Sequence, residues 1–154
     1  MSDENKKMAR RLMDESWSKG REEVVDELMS SKCRFHDPVF PSITSGLDSY
    51  KAHIRNCRSG FPDLKFTIED VIAERNEVVL HWMAHGTHRG NFLGMPATNK
   101  SANVQGTSIC RFERGKIAEV WVDWNLLSLL EQLGLAGAMM QMQAPSGQTA
   151  GAKK

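Results

Sequence analysis

The chain has 154 residues, with 20 Lys+Arg against 19 Asp+Glu and a formal net charge of +1. This is one domain's worth of sequence, long enough to hide roughly 70% of its unfolded-chain surface. Apolar residues at 40% and charged residues at 25% exclude disorder, collagen and coiled coil as overall descriptions, and the near-neutral balance argues against a nucleic-acid partner.

No apolar run approaches the roughly 20 residues of a membrane span. The polar start Met1-Ser2-Asp3-Glu4-Asn5-Lys6-Lys7 has no apolar stretch behind it, so neither a signal peptide nor a membrane partner is expected. Cys33, Cys57 and Cys110 are odd in number and far apart. They form neither a CxxC pair nor a disulfide framework, and they read as buried small hydrophobes in a reducing cytosol. The expected location is cytoplasmic.

In chain order, Met8, Leu12 and Trp17 fall at helical spacing within 4–18, and Gly20 stops the helix. A second helix begins near Arg21, with Val24, Val25, Leu28 and Met29 on one face. Cys33 to Phe40 reads as a short strand running into a Pro-rich turn. Leu47, Tyr50 and Ile54 restore helical spacing up to Cys57, and Gly60-Phe61-Pro62 breaks it. Beyond Pro62 the period becomes two: Leu64, Phe66 and Ile68 alternate with Lys65, Thr67 and Glu69.

Further strands follow over 78–87, 101–113 and 117–124. A Gly-rich loop at 90–100 carries Phe92, Leu93 and Met95, and Arg114-Gly115 makes a tight turn. Leu126 to Leu133 is a short helix ended by Gly134. Helices followed by a run of antiparallel strands make an α+β chain. Its domain is expected over 1–134, with a flexible C-terminal tail over 135–154.

Several ordered pieces resemble the SnoaL-like polyketide cyclase (ester cyclase) family. They are Phe35-His36-Asp37-Pro38, the stretch Phe61 to Asp70, Gly86-Thr87-His88-Arg89-Gly90 with Phe92 to Thr98, Arg111 to Glu119, and Trp121 through Gly134. The resemblance implies an NTF2-like cone: a curved antiparallel sheet wrapped around the N-terminal helices, enclosing an apolar pocket. It also implies an intramolecular aldol-type ring closure on a polyketide methyl ester, with no metal or organic cofactor and an aspartate on the last strand as acid/base.

On that strand, alternation places Trp121, Asp123 and Asn125 on one face and Val122 and Trp124 on the other. Many family members carry Asp at the position of Asn125. An amide holds a hydrogen bond to an enolate oxygen but shuttles no proton, so the expected catalytic pair is Asp123 as base with Asn125 as oxyanion donor. Asp123 has a second reading, a solvated strand carboxylate.

His36, Trp17, Gln105, His85 and Trp121 are the expected substrate-binding groups, with Asp37 a weaker candidate beside His36. No metal site is expected, because His81 and His85 lie four apart on a strand, roughly 13 Å along its rise. The expected function is cofactor-free cyclisation or isomerisation of a small apolar carbonyl compound; the alternative is a non-catalytic small-molecule-binding protein on the same fold. A homodimer or higher homo-oligomer fits either, since an open curved sheet leaves an outer face to cover.

Overall fold

The computed structural model describes residues 2–137. Most of the expected tail therefore lies outside the described residues. Helix α1 (Ser2–Arg11) runs directly into a π-helical stretch at Leu12–Trp17. The wider π turn, closed by Ser18 N–H donating to Met13 O, lets Leu12, Met13 and Trp17 all reach the interior. Helix α2 (Glu23–Leu28) is a single short piece that buries Val24, Val25 and Leu28.

Strand β1 (Met29–His36) follows at once, earlier than the sequence predicts, and helix α3 covers Leu47–Gly60. Strands β2 (Lys65–Glu74), β3 (Glu77–Thr87), β4 (Ser101–Glu113) and β5 (Lys116–Trp124) form the meander. Helix α4 (Leu126–Leu133) closes the described chain with Gly134 in the left-handed conformation.

The sheet order is β1-β5-β4-β3-β2. The β2–β3, β3–β4 and β4–β5 pairs are antiparallel, as expected. The β1–β5 pair is parallel, which corrects the all-antiparallel expectation. β1 precedes the meander and is joined to β5 only through the whole of it, so no hairpin constrains its direction. Alternation on β4 sends Ala102, Val104, Ser108, Cys110 and Phe112 inward, while Asn103 and Gln105 face out. The sheet thus presents one apolar face to α1, the π stretch and α3. No described helix is long and apolar enough to cross a membrane.

Arg58, on α3, ties three elements together. Its guanidinium donates to Trp17 O (2.9 Å), Ser18 O (3.0 Å) and Leu64 O (3.2 Å) through Nη1, and to Pro62 O (3.3 Å) through Nη2. A Cβ at Gly20 would stand 2.9 Å from its Nε, and Gly20 also sits at φ +72°. Charge-assisted bonds of this kind are worth about 1.5–3 kcal/mol. Arg58→Ala is therefore expected to lower stability by about 2–3 kcal/mol in a urea titration, with the denaturant slope unchanged.

Candidate functional site

Between the helices and the inner sheet face lies a cavity of about 110 Å³. Its wall is aromatic: Trp17, Phe35, Tyr50, Phe66, Trp82 and Trp124 surround it, with Phe40, Phe61 and Phe92 on the side of the 90–98 loop. Edge-to-face contacts lock these rings, including Phe66 on Trp82 at 4.8 Å and Phe35 on Tyr50 at 5.0 Å.

Asp37 and His53 are the buried carboxyl and imidazole of this wall. Asp37 follows β1 and is 7% exposed. Its Oδ1 accepts from Val39 N–H (2.9 Å) and its Oδ2 from the Trp124 indole N–H (3.1 Å). Burial pushes its carboxyl above the usual range, against the pull of those two donors, and the nearby Asp123 charge adds to the rise. His53, on α3, is 4% exposed and packs against Phe40 (4.6 Å), Trp17 (5.5 Å) and Phe35 (5.7 Å). Burial lowers its pKa to about 4, so it is a neutral imidazole at physiological pH.

Hydroxyls complete the polar set. Trp17 Nε1–H donates to the Tyr50 hydroxyl at 2.9 Å, and Trp82 Nε1–H donates to Ser108 Oγ at 3.0 Å. Each hydroxyl, used there as an acceptor, keeps its own proton to give. Burial raises the Tyr50 pKa and pushes the Cys57 and Cys110 thiols up to about 12, so all three stay protonated.

The depressed His53 value links to stability. In the unfolded chain His53 protonates near 6.5, in the fold only near 4. The unfolded state therefore binds more protons in that window, and stability falls as pH drops from 6.5 towards 4, by about 3 kcal/mol from this group. Asp37, raised in the fold, works in the opposite direction. The direct check is the His53 ring-proton NMR signal, expected to stay flat through pH 6.5.

The expected site residues divide sharply. Trp17 lines the cavity. Asp123 does not: it is exposed on the outer sheet face, opposite Thr107, and the inward set of β5 is Val120, Val122 and Trp124. The three residues that share a face by alternation share the solvent face, because the helices cover the apolar one. Asn125 also lies outside; it caps α4, its Oδ1 accepting from Ser128 N–H at 3.0 Å. Gln105 is exposed on the outer face. His85 touches the cavity wall, but its ring is exposed and bonds Asn103 Oδ1 at 2.9 Å.

His36 and Trp121 stack on each other at 5.4 Å on the outer face. There His36 Nε2 meets Glu119 at 2.6 Å, alongside Arg34 (2.8 Å) and Arg111 (3.0 Å). Burial raises the Glu119 carboxyl, but hydrogen bonds from His36, Arg34 and Arg111 together outweigh it and hold it down to about 2. This cluster braces β1 against β5 and β4, away from the cavity.

Two signals for the inner groups were present in the sequence. Cys33, Phe35 and Asp37 share a period-two face, and Tyr50, His53, Ile54 and Cys57 form an i, i+3, i+4, i+7 stripe.

A family model for SnoaL-like polyketide cyclases matches residues 7–133. The comparison with curated proteins gives no match. Among solved structures, the chain is similar to TsrD from Streptomyces laurentii, with TM-score 0.80 and 24% identity over 88% of this chain and 98% of that one. It is similar to a protein from Jannaschia sp. CCS1 named for the same family, with TM-score 0.79 and 24% identity over 86% and 92%. A protein with a ketosteroid isomerase-like fold from Catenulispora acidiphila, in complex with trimethylamine, superposes with TM-score 0.71 and 15% identity over 83% and 92%. The match across residues 7–133, with this open curved sheet packed on helices, shows that the chain belongs to the SnoaL-like polyketide cyclase family.

Proposed function

We propose that the cavity catalyses proton transfer next to a carbonyl, followed by intramolecular aldol-type ring closure, with Asp37 as the acid/base group. The observation that carries this reading is a buried carboxylate with a raised pKa on the wall of an aromatic cavity. In the reaction, Asp37 takes the proton from the carbon beside a ketone or ester carbonyl, and the electron pair of that C–H bond becomes the enolate. The enolate carbon attacks a second carbonyl carbon of the same molecule. The new alkoxide takes the proton back from Asp37, so protons and electrons balance with no co-reactant.

Neutral His53 and the Tyr50 and Ser108 hydroxyls supply hydrogen-bond donors for the enolate oxygen. The indole of Trp124 holds the carboxylate in place. Asp123, exposed on the other side of β5, contributes its charge and not its proton.

The second reading, a non-catalytic small-molecule-binding protein, is favoured by one residue, Asn125 in place of the common family aspartate. Deuterium uptake separates the two. An enzyme speeds exchange of a cyclic ketone's α-hydrogens with D2O above the buffer rate, whereas a binder leaves the buffer rate unchanged. On either reading we propose a homodimer. Its support is the half-buried row Val79, Ile109 and Trp121, adjacent in register across β3, β4 and β5 on the outer face.

A further inference from the structure

The size and lining of the cavity narrow the substrate class, given the reading above of this cavity as the reaction site. We infer that it takes a compact, uncharged carbonyl compound no larger than one six-membered ring, or an open chain that folds to that size, and excludes fused multi-ring ketones. The cavity measures about 110 Å³. An engineered apolar cavity of about 150 Å³ holds a single benzene, so one ring is the upper limit here and enters as the wall gives slightly. A fused three-ring compound needs several times the space here. Among the described residues, no Lys or Arg stands on the wall, and the buried carboxylate of Asp37 repels an anion, so carboxylate and phosphate ligands find no cationic partner to offset their desolvation.

The loop that covers the cavity is pinned. Phe92 packs edge-on to Phe40 at 6.0 Å and Phe61 at 5.2 Å, and Phe61 stacks on the fully buried His88 at 5.3 Å. Arg89 N–H and Gly90 N–H both donate to Gly60 O, at 3.0 and 3.1 Å. The seam has room only for glycine: a Cβ on Gly90 would stand 2.3 Å from Ser59 O, and one on Gly60 3.1 Å from Phe92 Cβ. Phe92 N–H and Met95 N–H each donate to the other's carbonyl, at 3.0 and 2.9 Å, closing the turn on itself. Phe92 is therefore a fixed ceiling, and the volume beneath it is a specificity limit.

The test uses the indole N–H signals in an ¹H–¹⁵N NMR titration. Trp17, Trp82 and Trp124 line the cavity, while Trp121 stacks on His36 outside it and serves as internal control. Cyclohexanone is expected to shift the three cavity signals saturably and to leave Trp121 in place. Tetralone and fluorenone are expected to bind at least about tenfold more weakly, and cyclohexanecarboxylate to shift nothing. Phe92→Ala is expected to admit tetralone; should that variant not fold, Phe40→Leu enlarges the mouth instead.

Fluorenone binding as tightly as cyclohexanone, the carboxylate competing equally, or no ketone shifting the cavity indoles would each overturn the inference. Its fate is separable from that of the proton-transfer reading. A size ranking that persists without any deuterium exchange leaves the cavity limit standing and removes the chemistry. Exchange that proceeds equally on cyclohexanone and tetralone does the reverse.

Discussion

Asp37→Asn is expected to slow α-deuterium exchange of cyclohexanone by about 10²- to 10⁴-fold, the usual worth of a positioned acid/base group. Asp123→Asn is expected to leave it at the wild-type level. The contrast follows from the two faces of one strand. Asp37 sits 7% exposed against the inward indole of Trp124, while Asp123, one residue before that tryptophan on β5, is solvated. The Asp37→Asn variant no longer buries a charge and keeps an acceptor for Val39 N–H, but it turns an amide N–H towards the Trp124 indole N–H, so its unfolding midpoint is expected to fall modestly. A rate loss of that size in a variant that stays folded at the assay temperature assigns the effect to chemistry. An equal loss in both variants would tie catalysis to the field of the two charges and not to a proton on Asp37.

Gly106→Ala is expected to cost about 3 kcal/mol, the upper end of the overpacking range, and to weaken ketone binding with it. Gly106 is directly across from Trp82 in the β3–β4 register, and the six-membered ring of the indole lies against the bare α-carbon. A Cβ there would stand 2.2 Å from the ring. The Trp82 ring is held elsewhere by Ser108 Oγ and Phe66, so it has nowhere to go without leaving the cavity wall. Thermal unfolding and the Trp82 indole signal report the two effects together. Retained stability with an unmoved indole signal would show that the sheet absorbs the extra methyl group by bending.

Much of the fold was legible because its strands alternate cleanly. The positions of β3, β4 and β5 follow from period-two runs, and α4 with its Gly134 stop from helical spacing. The candidate site was less so. Alternation grouped Trp121, Asp123 and Asn125 correctly, yet grouping does not say which face is covered. The apolar set Val120, Val122 and Trp124 carries that information, since the face that meets the helices is the one without charge. His53 is not among the expected site residues, although it stands as the polar member of the helical stripe of Tyr50, Ile54 and Cys57. The parallel β1 edge and the glycine beneath Trp82 depend on partners more than 20 residues away, and no local pattern encodes them.

The central claim, that Asp37 is the base, is tested most directly by a ¹³C NMR titration of its carboxyl, assigned with Asp37→Asn. The predicted midpoint lies above the ordinary carboxylate value of 3.8, as burial in an aromatic cavity requires. A midpoint at or below that value would mean that solvent or the two hydrogen-bond donors govern Asp37, and would contradict its role as the base.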